Sequence, residues 1–168
     1  VSLGLGKLPD AFWEGSDLYP VPEGDCRLKN SHASAWHMDL DRDVRSLMSV
    51  EADSGWFFTT HHELGHIYYY LAYARSDVPP ILRRGANRAF HEGVGELISL
   101  AAGQVPYLRR RGILPDKVEI DPIQAMLNDA LTTTVAFVPW SAGVMSHFEY
   151  ELYEKDLPPD QWQRRWWE

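Results

Sequence analysis

The sequence has little cysteine, little positive charge and no long apolar run. Its single cysteine, Cys26, excludes an internal disulfide framework and a C-x-x-C metal pair. Over 168 residues, 16 basic side chains face 24 acidic ones, for a net charge of −8, so few cations could neutralise a nucleic-acid backbone. No apolar stretch approaches the ~20 residues of a transmembrane helix, and the first residues lack the order of a signal peptide. We therefore expect no nucleic-acid partner and no membrane segment in this chain.

The composition predicts a folded chain. Its 45% apolar and 24% charged residues are ordinary for a globular protein, and the length allows a sizeable core. The cluster Arg109-Arg110-Arg111 is interpreted as a solvated loop. The chain starts without methionine and ends on Trp166-Trp167-Glu168, so we expect it to be a piece of a larger folded protein.

The spacing of apolar residues predicts a mainly α protein with one small β-hairpin. Residues 31–38 alternate polar with small or apolar side chains, which favours a strand, and residues 44–50 are expected to pair with it. Asp53 or Ser54 can cap the first long helix, and Asn87 can cap the next. A loop through Pro106 and Pro115 is expected after that helix. Short helical turns are predicted at 9–13 and 81–84. Longer helices are predicted at 52–75, at 90–102, from 122 onward, at 141–155 and from 160 to the end.

Residues 62–66 read His62-Glu63-Leu64-Gly65-His66 and fit the pattern H-E-x-x-H. Residues four apart share one face of a helix, so both imidazoles can reach one metal ion. Zn²⁺ accepts neutral imidazole nitrogen in four-coordinate geometry. Glu63 is rotated away from this pair, towards a water on the metal, where it can act as a general base. The alternative interpretation is two histidines on an ordinary amphipathic helix.

The next predicted helix offers a third ligand, because Glu92 follows His66 by 26 residues, enough chain to turn and pack a second helix. Glu96 is four residues further on, where it can accept the other N–H of a ligand histidine and fix its tautomer. Gly93 and Gly95 cost about 1 kcal/mol each relative to alanine, and their small size permits close helix approach. The alternative for the two glutamates is a solvated acidic face.

Three stretches of the chain resemble the angiotensin-converting-enzyme family of zinc dipeptidyl carboxypeptidases. They are His32-Ala33-Ser34-Ala35-Trp36, His61-His62-Glu63-Leu64-Gly65-His66-Ile67 and Arg84-Gly85-Ala86-Asn87-Arg88-Ala89-Phe90-His91-Glu92. Weaker similarity covers 3–13, 136–140 and 166–167. H-E-x-x-H alone is shared by many metallopeptidases, but its combination with the other two stretches is much more specific. The resemblance implies a helical zincin core with a small β-hairpin beside the active-site cleft, and residues 1–168 as one partial catalytic domain.

The resemblance also implies roles for the motif residues. His62, His66 and Glu92 would bind zinc, and Glu63 would be the base. Glu96 stands where the family commonly has an aspartate that supports a zinc ligand.

Further positions match the family's substrate and chloride sites. The segment with His32 and the backbone of Ala33 and Ala35 matches the family's edge strand, which pairs with the peptide substrate. Phe137 and Trp140 match aromatic residues that line the pocket for the substrate's C-terminal residue. Trp166 matches a tryptophan of a chloride pocket, which makes chloride a possible second ion.

Two departures from the family pattern affect these expectations. Ser31 and Ser49 stand where animal members carry a disulfide pair, which indicates a bacterial-type member. The family's groups that stabilise the tetrahedral intermediate lie beyond the end of this chain, and such groups are typically worth roughly 3–4 kcal/mol. We therefore expect the chain alone to bind zinc but to cleave peptides poorly. The resemblance suggests a secreted or periplasmic location and leaves the compartment open.

Three functions remain possible from the sequence. The first is a zinc peptidase that releases dipeptides from peptide C-termini, with Glu63 as base. The second is a related zinc oligopeptidase that cleaves internally. The third is a non-catalytic peptide-binding domain that is stabilised by zinc.

Overall fold

A computed structural model describes residues 2–131, 138–140 and 142–168. These residues contain seven α-helices and one two-stranded antiparallel sheet, which confirms the mainly α prediction. The elements are α1 (Asp10–Gly15), β1 (Ser34–His37), β2 (Val44–Leu47), α2 (Ser54–Tyr73), α3 (Arg88–Ala102), α4 (Val105–Arg110), α5 (Pro122–Ala130), α6 (Val144–Tyr153) and α7 (Trp162–Trp167). Two 3₁₀ turns lie at Pro80–Leu82 and Pro159–Gln161.

The chain divides into two compact units, Val1–Pro115 and Asp116–Glu168. The first unit contains α1 to α4 and the hairpin. Within the second unit, the guanidinium of Arg165 on α7 binds the carboxylate of Glu151 on α6, with 2.6 Å between Nη2 and Oε1. The prediction that residues 1–168 form a single partial catalytic domain stays a prediction.

Side-chain caps define where the two central helices begin. The carboxylate of Asp53 accepts a hydrogen bond from the N–H of Trp56 at 2.7 Å, so Asp53 rather than Ser54 caps α2. The side chain of Asn87 accepts from the N–H of Phe90 at 2.8 Å and caps α3. Because each cap satisfies an otherwise unpaired N–H, it determines the start of the helix and which residues share a face.

The core of the first unit connects the hairpin to α2. Phe12 of α1, Val44 of β2 and Ile67 of α2 are fully buried against one another. Partly buried apolar side chains surround them: Leu8, Leu18, Ala35, Leu64, Tyr70 and Leu71. Burying a large apolar side chain contributes about 1.5–3 kcal/mol, so this cluster holds the hairpin on one side of α2.

Glycines allow α2 and α3 to approach closely. A Cβ atom on Gly65 would lie 2.7 Å from the Cα of Gly95, and one on Gly95 would lie 2.8 Å from Cε1 of His62. A Cβ on Gly93 would meet no atom within 4 Å. The expected close approach therefore depends on Gly95 and on Gly65 of the H-E-x-x-H motif, whereas the expectation for Gly93 was wrong, because Gly93 faces open space.

The hairpin is shorter than the sequence predicts. The strand β1 begins at Ser34 instead of residue 31, because the N–H of His32 turns back to the side-chain oxygen of Asn30 at 2.9 Å. In the ladder Ala35 pairs with Ser46, and Trp36 pairs with Arg45.

The strand β1 keeps one edge unpaired within the described part of the chain. The other edge of β2 is occupied, since the N–H of Asp17 donates to the carbonyl of Ser46 at 3.0 Å. The N–H of Met38 donates to the carbonyl of Asp43, so even-numbered residues of β1 direct their backbone groups to β2. The backbone groups of Ala35 therefore face the unpaired edge.

The expected loop through Pro106 is wrong in its first part. Residues Val105–Arg110 form α4, with Val105 and Tyr107 buried. Pro106 is compatible with this helix because it lies in the first turn, where its missing N–H has no helical partner. Arg109 and Arg110 therefore belong to a helix end rather than to a loop.

Candidate metal centre

The two histidines of the motif meet on one face of α2. His62 and His66 are one helical turn apart, and their Nε2 atoms are 3.0 Å from each other. Burial, together with the charge of His62, lowers the pKa of His66 well below its usual range. His66 is therefore neutral at neutral pH, which is the form of imidazole that binds metal ions.

Glu92 approaches this pair from α3. Its Oε2 atom lies 3.3 Å from Nε2 of His62 and 3.5 Å from Nε2 of His66. Zinc bonds to nitrogen and oxygen are about 2.0–2.1 Å long, so tetrahedral ligand atoms should be about 3.3 Å apart. The three atoms are thus spaced as the ligands of one tetrahedral ion would be.

Each histidine also has a partner for its second ring nitrogen. Nδ1 of His62 lies 3.2 Å from Oε1 of Glu96, and Nδ1 of His66 lies 2.7 Å from Nδ1 of His91. If both Nδ1 atoms carry protons and donate outward, both Nε2 atoms keep their lone pairs. The lone pairs of the two Nε2 atoms and the Glu92 oxygen then converge, with no hydrogen-bond donor among these three atoms. A cation satisfies this arrangement, so the donor set fits a zinc ion.

Glu63 lies beside the pair but is set apart from it. It is only 6% exposed, and its Oε2 atom has no hydrogen-bond partner among the described residues. One of its oxygens and the nitrogens of His62 and His66 form a group within 4.8 Å that could hold a metal ion. The Glu92 oxygen lies within 3.5 Å of the Nε2 atoms of both histidines, which makes Glu92 a candidate third ligand. Burial raises the pKa of the Glu63 carboxyl above its usual value.

Sequence reasoning missed two contacts at this site, one between Arg88 and Glu92 and one between His91 and His66. Nε of Arg88 donates to Oε1 of Glu92 at 3.0 Å, which leaves Oε2 free to face the histidines. The four-residue spacing of Arg88 and Glu92 on one helix could have revealed this pair. The contact of His91 with His66 had no such signal, because it joins two helices.

The predicted substrate strand lies on the same unit as the metal centre. Ala33 is buried and His32 is exposed. Ala35 is partly buried, and its carbonyl accepts a hydrogen bond from the hydroxyl of Tyr70 on α2 at 3.2 Å. His32 is near enough to Glu63 for its charge to lower the pKa of that carboxyl. Helix α2 thus carries Glu63 and the histidine pair and contacts the strand through Tyr70.

The other predicted positions lie in the second unit or outside the described residues. Trp140 is 73% exposed. Trp166 lies on α7 with its ring centroid 5.1 Å from that of Phe148. Phe137 lies outside the described residues. Among the described residues, no helix is long and apolar enough to cross a membrane.

The fold and the site define a helical protein with a potential metal-binding His–Glu–His group on its longest described helix. The family model for angiotensin-converting enzyme, peptidase family M2, matches residues 1–168, so the chain belongs to that family. Angiotensin-converting enzymes of Theromyzon tessulatum and Haematobia irritans exigua, and an angiotensin-converting enzyme-related protein of Drosophila melanogaster, are each 36% identical over 169 residues. Each alignment covers 99% of this chain and 26% of the relative, so the chain spans about a quarter of their length. The bacterial type stays a prediction.

Proposed function

We propose that the chain is the zinc-binding core of a peptidase that releases dipeptides from peptide C-termini. His62, His66 and Glu92 hold the ion, and Glu63 is the general base. The observation that carries this proposal is the convergence of the three ligand atoms within 3.0–3.5 Å beside the buried oxygen of Glu63.

His62, His66 and Glu92 would hold a zinc ion, which when bound would supply the Lewis acidity that activates a water molecule and polarises the scissile carbonyl. The protein's part is to present the ligands in order. Glu96 orients His62, and Arg88 orients Glu92 through its second oxygen. These bonds hold the ligand side chains before the ion arrives, which reduces the ordering that binding requires.

Glu63 moves the proton. Its unpartnered Oε2 atom accepts a proton from the attacking water and then delivers it to the leaving amine. Its burial supports this role, because the raised pKa of the carboxyl makes it a better acceptor than an exposed glutamate. A structural metal site needs no base, so the buried Glu63 favours catalysis over a non-catalytic domain.

The unpaired edge of β1 supports peptide binding by strand addition. An extended substrate can bond to the outward N–H of Ala35, to the second lone pair of its carbonyl, which already accepts from Tyr70, and to the backbone of Ala33, with His32 beside them. Main-chain bonds hold a peptide in register without selecting its sequence. Phe137 and Trp140 stay proposals for the pocket of the substrate's last residue, and chloride stays a proposal at Trp166.

The test is zinc content and hydrolysis of an N-blocked tripeptide by the full-length natural protein. We expect one bound zinc and release of a dipeptide. Glu63→Gln should retain zinc and lose about 10²–10⁴-fold in kcat, because the ligands remain and the base does not. Glu149→Gln, at an exposed position on α6, is the matched control and should leave kcat unchanged. Full activity of Glu63→Gln would rule out the mechanism.

Amidated substrates separate the two peptidase functions. An enzyme that recognises the free C-terminus should cleave the carboxylate form of a peptide faster than its C-terminal amide. Equal rates on both forms would favour the internal oligopeptidase.

A further inference from the structure

His91 contacts a predicted zinc ligand without being one itself. It precedes Glu92 on α3, and its Nδ1 atom lies 2.7 Å from Nδ1 of His66. Tyrosine rings of α2 surround it, with centroids 4.8 Å from His91 for Tyr69, 4.7 Å for Tyr70 and 6.3 Å for Tyr73. This packing leaves the imidazole of His91 few orientations.

The short contact allows two proton arrangements with opposite consequences. In the first, Nδ1–H of His66 donates to His91, and Nε2 of His66 keeps its lone pair. In the second, Nδ1–H of His91 donates to His66, and Nε2–H of His66 donates to Nε2 of His62 across their 3.0 Å contact. Only the first arrangement lets His66 bind a metal ion, because a protonated Nε2 has no lone pair.

We propose that His91 is a positioning residue that accepts the Nδ1–H of His66 and so keeps Nε2 of His66 free to bind the ion. This inference rests on the proposed zinc site. In this arrangement the proton of His91 lies on Nε2, which is buried without a hydrogen-bond partner among the described residues. The surrounding tyrosine rings can accept such an N–H weakly.

A neutral acceptor suits this side of the site. The partner of His62 is Glu96, whose side chain is 63% exposed, so its charge remains solvated. The partner of His66 is His91, which is partly buried among the rings of Tyr69 and Tyr70. A further carboxylate there would place another negative charge in a poorly solvated region, whereas an imidazole orients the ligand without adding charge.

The test uses zinc and cobalt binding by the full-length natural protein. His91→Phe retains the ring and removes the acceptor, and His91→Asn places an amide oxygen close to the position of Nδ1. We expect the Kd for zinc to rise 10- to 100-fold in His91→Phe and to stay within about threefold of the original in His91→Asn. The visible absorption of bound Co²⁺, which reports ligand geometry, should change only in His91→Phe.

His37→Phe is the matched control. His37 also stacks on Tyr70, with 5.2 Å between ring centroids, but its Nε2 atom lies near the carbonyl of Asp41 instead of a motif histidine. The His37→Phe variant should bind zinc with the same Kd as the unaltered protein. If His91→Phe fails to fold, His91→Gln replaces it, since its longer side chain carries the oxygen past the Nδ1 position.

The outcomes distinguish this inference from the proposed function. Absence of zinc binding by the unaltered protein overturns the proposed function and, with it, the role of His91. Tight binding by the unaltered protein with an unchanged Kd in His91→Phe overturns the role of His91 alone. Equal losses in His91→Asn and His91→Phe also overturn it, because they indicate a packing effect.

Discussion

Three glutamates stand around the histidine pair, and their surroundings differ. Glu63 is 6% exposed, while the side chains of Glu92 and Glu96 are 42% and 63% exposed. Burial raises the pKa of a carboxyl, so the most buried of the three is best suited to exchange protons. The carboxylates of Glu92 and Glu96 remain in contact with solvent, which suits their proposed roles as metal ligand and orienting group. The gradient of exposure thus supports the proposed division of roles.

Glu96 provides a test of orientation at the residue scale. Glu96→Ala should weaken zinc binding about 10-fold or more, because Nδ1 of His62 loses the acceptor at 3.2 Å that fixes its tautomer. Glu96→Asp should recover part of the affinity. The measurement is competition with a chromophoric chelator, with Glu119→Gln as an exposed control. Unaltered affinity in Glu96→Ala would show that Glu96 belongs to a solvated acidic face.

Spacing along a helix determined what could be predicted at this scale. Helical spacing alone places His62 and His66 on one face with Glu63 rotated away from them. It also places Glu92 and Glu96 on one face of the next helix. The contact between His66 and His91 does not follow, because it depends on how α2 packs on α3.

At the scale of elements, the site depends on the approach of α2 to α3. Gly65 and Gly95 face each other where these helices meet, and His62 lies against Gly95. The separation of the helices therefore determines how far Glu92 reaches towards the histidines.

Gly95→Ala should disturb the metal centre. Its Cβ would lie 2.8 Å from Cε1 of His62, so the imidazole or the helix must move, at a cost of about 1–3 kcal/mol. We expect a lower free energy of unfolding and weaker zinc binding. Gly93→Ala is the matched control, because its Cβ meets open space and alanine favours a helix by about 1 kcal/mol. Equal behaviour of the two variants in urea unfolding and zinc titration would contradict this account.

Tyr70→Phe tests the connection between α2 and the substrate strand. The hydroxyl of Tyr70 donates to the carbonyl of Ala35 in β1. Its removal should lower the free energy of unfolding by about 1 kcal/mol and loosen β1. We expect KM for a peptide to rise in the full-length natural protein while zinc affinity stays the same. Tyr68→Phe is the control, since that hydroxyl donates to the carbonyl of Gly6 at 2.6 Å. A larger rise of KM in Tyr68→Phe would argue against the proposed strand.

At the scale of the whole molecule, the chain covers about a quarter of the length of its relatives. Large apolar side chains are exposed in both units, among them Leu28, Ile81 and Trp167. Such surfaces are typical of regions that pack against further protein. The core described here is small, so zinc binding should contribute a substantial part of the stability of the isolated chain.

The isolated 168-residue chain should be stabilised by zinc and should turn over slowly. Zinc at 100 times its Kd adds about 2.7 kcal/mol to the free energy of unfolding if it binds only the folded state. The Tm should rise accordingly, and EDTA should reverse that rise. Hydrolysis of the blocked tripeptide should be far slower than by the full-length natural protein. Mutating both His62 and His66 to alanine should abolish the zinc-dependent shift. Full turnover by the chain alone would contradict the expectation.

The sequence by itself determined the local features of this protein. Helix periodicity puts His62 and His66 on one face. The cap at Asn87, and a cap at Asp53 or Ser54, follow from side chains that bond nearby backbone N–H groups. Tertiary packing decided which distant groups meet. It set the contact of Gly65 with Gly95, the reach of Glu92 and the partnership of His66 with His91, because these depend on the distance and rotation between helices. Local spacing carries no information on either quantity.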